Sequence, residues 1–441
     1  MSAVTMKGAS SALERYREAF ETRWPAADAL TTLRRAALSE FLAQGFPTPR
    51  DEEWKYTNLR RLESRSFELA QSPAAVDAHQ KQWIAHGGVR IVLADGHWSP
   101  ALSSSSVLPP GVTVLPLGQW LRRDAAEVAS CVSQQPPARP SALERLNLAF
   151  FQDGVVIQLA EGAQTVEPIY VVHQWGAQAQ GRMSHPRILV RAARNSRCTL
   201  IEQFLGPADA EYFTNAVTLL DLADGAAVNH HRLQQESTRS FHIGQTSVRL
   251  QSNSRYAQHD IALGASLSRT NLTTLLEGAG AHVALHGLFA PDGAQHLDVH
   301  TRIDHVAPRT TSEEDYRGVA SGHGRGVFNG KVIVRPDAQK IDARQSSRNL
   351  LLSPTAEIDT KPELEIYAHD VKCSHGATTG QLDAAALFYL RSRGVSESEA
   401  RALLIRAFAE SILTSIEHPP LRTYLEQQLD ARFSLSSGVQ S

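Results

Sequence analysis

The sequence predicts a mainly β protein, with a long solenoid-like β core between an N-terminal and a C-terminal helical region. Three observations carry this. From about Gly154 to Ala377, short apolar runs such as VVIQLA, PIYVVHQ, RILVRAA and CTLIEQFL alternate with turn residues, and helical periodicity disappears. Up to Gly280 the turns, among them ARNSR, ADGA, QSNS and EGAGA, recur at spacings of roughly 26–33 residues, the range of stacked repeats. Most are longer than the two-residue NG or DG links of hairpins. The pattern therefore favours a parallel β-helix and leaves an antiparallel sandwich as the alternative.

The elements follow in chain order. LERYREAFETRW (13–24) places Tyr16, Phe20 and Trp24 four apart on one helical face, with Pro25 to end it. TTLRRAALSEFLAQG (31–45) repeats the pattern through Leu33, Ala37, Leu38, Phe41 and Leu42, and Gly45 supplies a C-cap. Pro47–Pro49 is a linker, and Asp51–Glu53 before WKYT is a helix or turn start. Residues 80–130 mix short strands such as GVRIVLADG with turns, and PPARP (136–140) marks a boundary. After the core, a helix is expected at Asp383–Arg391. Ser396 and Glu399 form a capping box for the next one, with Ala400, Leu403, Leu404, Ala407, Phe408, Ser411 and Ile412 on its buried stripe. Pro419–Pro420 is expected to break that helix, and Leu421, Tyr424, Leu425 and Leu429 mark a further short one. The expected organisation is a helical region at 1–80, a mixed α/β connection at 81–150, the β-helix core at 151–377 and a helical end at 378–441.

Composition narrows function by exclusion. A chain of 441 residues with 42% hydrophobic and 20% charged residues is an ordinary globular protein of two or three domains. A net charge of −2 gives no overall electrostatic reason to expect nucleic acid or an anionic membrane as partner. No apolar run approaches the roughly 18–20 residues of a membrane span. The start, MSAVTMKGASSALERYREAF, lacks the apolar centre of a signal peptide, so a cytoplasmic location is expected. Cys131, Cys198 and Cys373 are far apart and form no C-x-x-C, which argues against a disulfide framework and against a self-sufficient cluster site.

The chemistry concentrates near the end of the core. Cys373 and His375 form a compact Cys-x-His, and a thiolate beside an imidazole can bind a soft or borderline metal such as iron or zinc. Two ligands do not complete a site, so other ligands must come from elsewhere or from a partner. The other histidines read as polar or half-buried solenoid side chains. His282 and His286 share a strand face, as do His296 and His300, but no carboxylate or cysteine is expected between them at fixed spacing. SGHGRGVFNGK (321–331) is not a phosphate loop. Val332 stands where the hydroxyl belongs, strand follows rather than helix, and glycines at a tight solenoid corner account for it. There is no G-x-S-x-G elbow for a serine nucleophile.

Several segments together resemble the SufB/SufD family of iron–sulfur cluster assembly proteins, on its SufD side. They are RNLLLSPTAEIDTKPELEIYAHDVKCSHGAT (348–378), LFYLRSRGVSESEARALLIRAFAESIL (387–413), GRGVFNGKVIVRPDAQKIDARQ (324–345) and GFPTPRDEEWKYTNL (45–59). The resemblance is dense from about Tyr316 to Leu413 and local at Gly45–Leu59. It implies a right-handed parallel β-helix core and a non-enzymatic scaffold role. It also implies a heterodimer with a SufB-like paralogue and docking of a SufC-like ABC ATPase on the C-terminal helices around Asp383–Ile416. By the same resemblance His375, and secondarily Cys373, are metal ligands of an interfacial nascent site. No cofactor is held stably by this chain, and iron or a cluster is shared transiently with the partner. A homodimer using the same edge is compatible with the family. His369 stands where the family pattern has an acidic residue and is read as an exposed surface histidine. The alternatives are a SufB-like paralogue, disfavoured because this chain lacks additional cysteines, and a β-helix carbohydrate enzyme, disfavoured by the missing signal peptide and the C-terminal helices.

Overall fold

The computed structural model describes residues 3–24, 29–73, 75–76, 82–84, 87–104, 108–133 and 140–435. Pro25, most of the PPARP boundary and the side chain of Cys131 lie outside the described residues. From 154 to 380 the chain winds into about eight coils of parallel β-solenoid, each giving one strand to each of two sheets. The first sheet stacks Gly154–Leu159, Arg187–Ala192, Phe213–Leu222, Phe241–Leu250, Leu267–Leu276, His296–His305, Arg325–Val334 and Glu357–Ile366. The second stacks Ile169–Gln174, Arg197–Leu205, Ala227–Gln234, Arg255–Ala262, His282–Phe289, Thr311–Ala320, Ile341–Leu351 and Val371–Gly380. Successive strands pair in parallel, so that Phe213 lies beside Phe241, Leu267, His296, Arg325 and Glu357 in turn.

One corner shows why these turns recur. Asn195, Gly225, Asn253, Gly280, Arg309 and Lys340 have φ between 56° and 74°, one in each successive coil. Each donates its backbone N–H to a carbonyl of the following coil, as Asn195 does to Asp224 and Asn253 to Ala279. Left-handed backbone favours Gly and Asn, which explains most of this corner's composition.

Alternation of side chains along each strand sends one row inside the coil and one outside. Inside, Leu222, Leu250, Leu276, Val299 and Phe328 of the first sheet meet Val228, Tyr256, Val283, Leu285 and Ala343 of the second. Each fully buried aliphatic or aromatic side chain of this kind contributes about 1.5–3 kcal/mol. The interior also holds paired polar groups. Glu202 lies 3.1 Å from His173 and 2.7 Å from His230, and Arg232 donates to Asp260 at 2.9 Å.

Both outer faces are covered. Helices Ala3–Arg23, Ala29–Gln44 and Ala142–Phe150 pack Phe20, Phe41, Leu143 and Phe150 against Phe213, Phe241, Ile243 and Leu267 of the first sheet. The C-terminal helices Glu397–Thr414 and Pro419–Leu435 lie on the second sheet, where Ile405, Ile412, Leu421 and Leu425 meet Ile201, Leu233, Ile261 and Leu288. The solenoid's start is closed by Arg90–Ala94, parallel to Ile169–Gln174, and by Val112–Pro116, antiparallel to Gly154–Leu159.

The C-terminal helices differ from expectation in two ways. The buried stripe of Glu397–Thr414 runs through Ala400, Ile405, Ala409, Ile412 and Leu413, while Leu403 is 49% exposed. Apolar residues occur on more than one side of this helix, and docking on the sheet selects the side. The helix before Pro419–Pro420 ends at Thr414, as expected, but the prolines themselves begin the next one, which runs for 17 residues rather than being short, since proline is tolerated in the first turn, where backbone N–H groups have no intrahelical partner. No described helix is long and apolar enough to cross a membrane.

Candidate functional site

The last coil differs from those before it. Strand Arg325–Val334 is buried at eight of its ten positions, whereas Glu357–Ile366 and Val371–Gly380 contain no buried residue. Both strands are the outermost members of their sheets, so each offers an unpaired backbone edge. Ile366, the last residue of Glu357–Ile366, and Tyr367 after it are 41% and 55% exposed.

Cys373 and His375 both lie within Val371–Gly380, two positions apart and therefore on one face. In register, Cys373 sits beside Ala343 and His375 beside Gln345, and both neighbours are buried inside the coil. The pair thus continues inward-facing rows at a level where no further coil among the described residues covers them. His375 is exposed, and Cys373 is half-buried against the apolar core. Burial, helped by the Asp342 carboxylate, pushes the Cys373 thiol up from its usual range. That makes thiolate, the ligand form, scarcer at neutral pH. Cys198 is buried deep in the core with its thiol pushed up to about 12 by desolvation, and it faces no exit. His369 is exposed, outside both strands of the last coil. Among the described residues no group of three or more His, Cys, Asp or Glu side chains is placed to hold a metal.

Behind His375 lies a polar row that the sequence reading did not single out. Gln345 is 5% exposed and donates through Nε2 to Glu314 Oε2 at 2.5 Å. Glu314 is 2% exposed, and burial pushes its carboxyl up to about 7. Gln345 stands in register with Glu314 on one side and with His375 on the other. The signal was present as offsets of one coil length, but it cannot be used before the register is known.

The glycine-rich segment is also reassigned in part. Gly322, with φ of 60°, sits at a corner as expected. Gly326 and Gly330 are instead in mid-strand, facing inward. A Cβ at Gly330 would fall 1.9 Å from Gln345 Nε2 and 2.9 Å from Glu314 Oε2, so this glycine makes room for the polar row.

The DEEWKYT segment joins the N-terminal region to the solenoid. Arg269 lies 3.8 Å over the Trp54 ring and donates to the Glu53 carbonyl at 2.6 Å and to Asp298 at 2.9 Å. Thr57 donates to Asp298 at 2.5 Å, and its hydroxyl lies 2.7 Å from His296 Nε2. His300 contacts Asp298 at 3.0 Å and Glu53 at 3.6 Å. Asp298 therefore does lie between His296 and His300 on one face, contrary to the expectation that no carboxylate is interleaved. Arg269 and Thr57 already occupy it. Burial alone would raise the Asp298 carboxyl, but His300 and Arg269 outweigh it and hold it well below the usual range. The same segment reaches the last coil through Glu52, 2.5 Å from Lys361. On the second sheet His231, His259 and His286 stack in a column with ring centroids 5.0 and 5.1 Å apart, and His259 meets Ser415 of the C-terminal region at 2.8 Å.

The C-terminal end presents a second uncovered surface. Asp383 caps Ala384–Ser392 by accepting from the Ala385 N–H at 2.9 Å, yet none of that helix's residues is buried. Phe388 and Tyr389 are 74% and 56% exposed.

A parallel β-solenoid with helical ends, its first coil closed by added strands and its last coil uncovered among the described residues, defines the structural class of this chain. Residues 175–408 match the family model described as the SUF system FeS cluster assembly SufBD core domain, and residues 11–171 match the SufBD protein N-terminal region. The chain is 34% identical over 422 residues to an iron–sulfur cluster assembly SufBD family protein of Synechocystis, covering 93% of this chain and 90% of the relative. It is 30% identical over 402 residues to the iron–sulfur cluster assembly protein SufD of Escherichia coli, covering 90% of each. A SufBD family protein of Mycobacterium tuberculosis is 25% identical over 402 residues, 89% of this chain and 91% of the relative. The chain belongs to the SufBD family of iron–sulfur cluster assembly proteins, and within it is SufD-like.

Proposed function

We propose that this chain is the non-catalytic scaffold subunit of a SufBCD-type complex in the cytoplasm. Its last coil meets a SufB-like paralogue, and His375 contributes a ligand to an iron–sulfur cluster being built across that contact. The observation that carries the reading is the uncovered last coil, which leaves two sheet edges unpaired and His375 exposed on a row that is elsewhere interior. A partner solenoid can extend both sheets there, and a second copy of this chain can use the same edges. The cluster is cargo. A site divided between two chains, with an imidazole among its donors, can assemble a cluster and release it, whereas a closed four-thiolate site retains one. Cys373 is the secondary ligand, weaker because its thiol is held up by burial.

An ABC-type ATPase docks on the C-terminal helices, with Phe388 and Tyr389 as its apolar anchors. ATP-driven closure of that partner moves these helices and shifts the contact at the last coil. This requires the ATPase to bind the two arrangements with different affinity. The test is His375→Ala in the reconstituted complex. Cluster assembly is abolished, while the circular dichroism spectrum and complex stoichiometry stay as in the parent. Normal assembly by the variant overturns the role given to His375.

A further inference from the structure

The buried row behind His375 has an unused acceptor. Gln345 gives its Nε2 to Glu314, one coil back, while its Oε1 is buried with no hydrogen-bond partner. Leaving a buried amide oxygen unpaired is destabilising, so its retention calls for a use. A planar amide whose nitrogen is held by the preceding coil keeps its carbonyl oxygen as the group free for the following one. The residue in register on the following coil is His375. Gly330 leaves the space in which this amide lies, since any side chain there would displace it.

We infer that in the assembled complex the exposed His375 ring turns onto Gln345, the positioning residue, whose Oε1 accepts the N–H of one ring nitrogen so that the other presents its lone pair outward from the solenoid end. This rests on the reading of His375 as a ligand. A ligating histidine is oriented by the hydrogen bond its second nitrogen makes, and losing such a partner typically lowers metal affinity about 10–100-fold. Glu314 acts one step further back, holding the amide so that Gln345 offers oxygen rather than nitrogen. Either protonation state of Glu314 retains an oxygen that accepts from the amide, so the device does not depend on its titration.

The experiment compares the parent with Gln345→Leu and with the double variant Glu314→Leu/Gln345→Leu, which removes both the amide and the carboxyl that holds it, in case the single variant folds poorly. Two readouts are taken on the assembled complex. One is the nitrogen shift pattern of the His375 ring after selective histidine labelling, assigned by its loss in His375→Ala. The other is affinity for ferrous ion. One fixed tautomer is expected in the parent and a mixture in the variants, with ferrous affinity down about 10–100-fold. An unchanged tautomer in both variants overturns the inference. If the tautomer responds but His375→Ala leaves ferrous affinity unchanged, Gln345 positions the ring and the ligand reading of His375 is what fails.

Discussion

The flank of the solenoid covered by the N-terminal region and the last coil are built from the same kind of strand, yet their outcomes are opposite. On the covered flank, Phe241 and Leu267 are buried under helices, and Arg269, Asp298, Thr57 and Trp54 form a dense polar clamp. On the last coil, the same two rows end in Glu357 and Asp359, and no residue of either last-coil strand is buried. The chain's own helices finish the flank, and nothing among the described residues covers the last coil. Each difference between the two ends can be probed separately.

The largest expected stability effect is at the clamp. Arg269→Ala leaves Asp298 without its cation and removes the contact over Trp54. Breaking a buried pair from one side costs about 3–5 kcal/mol, to be read as a lower denaturation midpoint in urea. The matching change at the open end is Arg325→Ala, which removes half-exposed pairs to Glu357 and Asp359. That change is expected to stay within about 1 kcal/mol. Equal losses at the two sites would erase the contrast between a finished and an unfinished end.

The next effect is a pH dependence arising just behind the open coil. Glu314 titrates near 7 when folded, above the ordinary carboxyl range. Between the unfolded value and about pH 7 the folded chain holds a proton that the unfolded chain has lost, so stability falls as pH rises through that window and levels off above it. At about 1.4 kcal/mol per unit the total is roughly 3.5 kcal/mol. Glu314→Gln removes this component, and urea denaturation of parent and variant across pH 4.5–8 measures it. A parent curve that rises through the window faster than the variant's would contradict the assignment. The smallest effect is local to the helical end. Ser396 accepts from the Glu399 N–H in a capping box, and Ser396→Ala is expected to cost about 1 kcal/mol in thermal denaturation, without altering the exposure of the last coil.

Much of the candidate site could be read in advance, because Cys373 and His375 are neighbours in sequence and their pairing on one strand face follows from a period of two. The supporting residues were not legible in the same way. Glu314, Gly330 and Gln345 come from three different strands, and only stacking brings them together. Gly330 illustrates the difference. Its neighbours in sequence make it look like a corner glycine, while its neighbours in space require it to lack a side chain. The buried stripe of Glu397–Thr414 failed for a related reason, since the helix has apolar residues to spare and the sheet beneath chooses among them.

By itself the sequence determined the recurring corners, the short apolar strands between them, the helical ends with the Ser396 capping box, and the Cys-x-His. All of these depend on local conformational preference and on periodicity within one element. The tertiary structure decided which rows face inward, which glycine makes space for a side chain, and which coil is left uncovered. Coil length varies from 26 residues, where Phe241 lies beside Leu267, to 33, where Gly154 lies beside Arg187. Contacts between coils set the register, and a shift of one residue would turn every side chain to the other face.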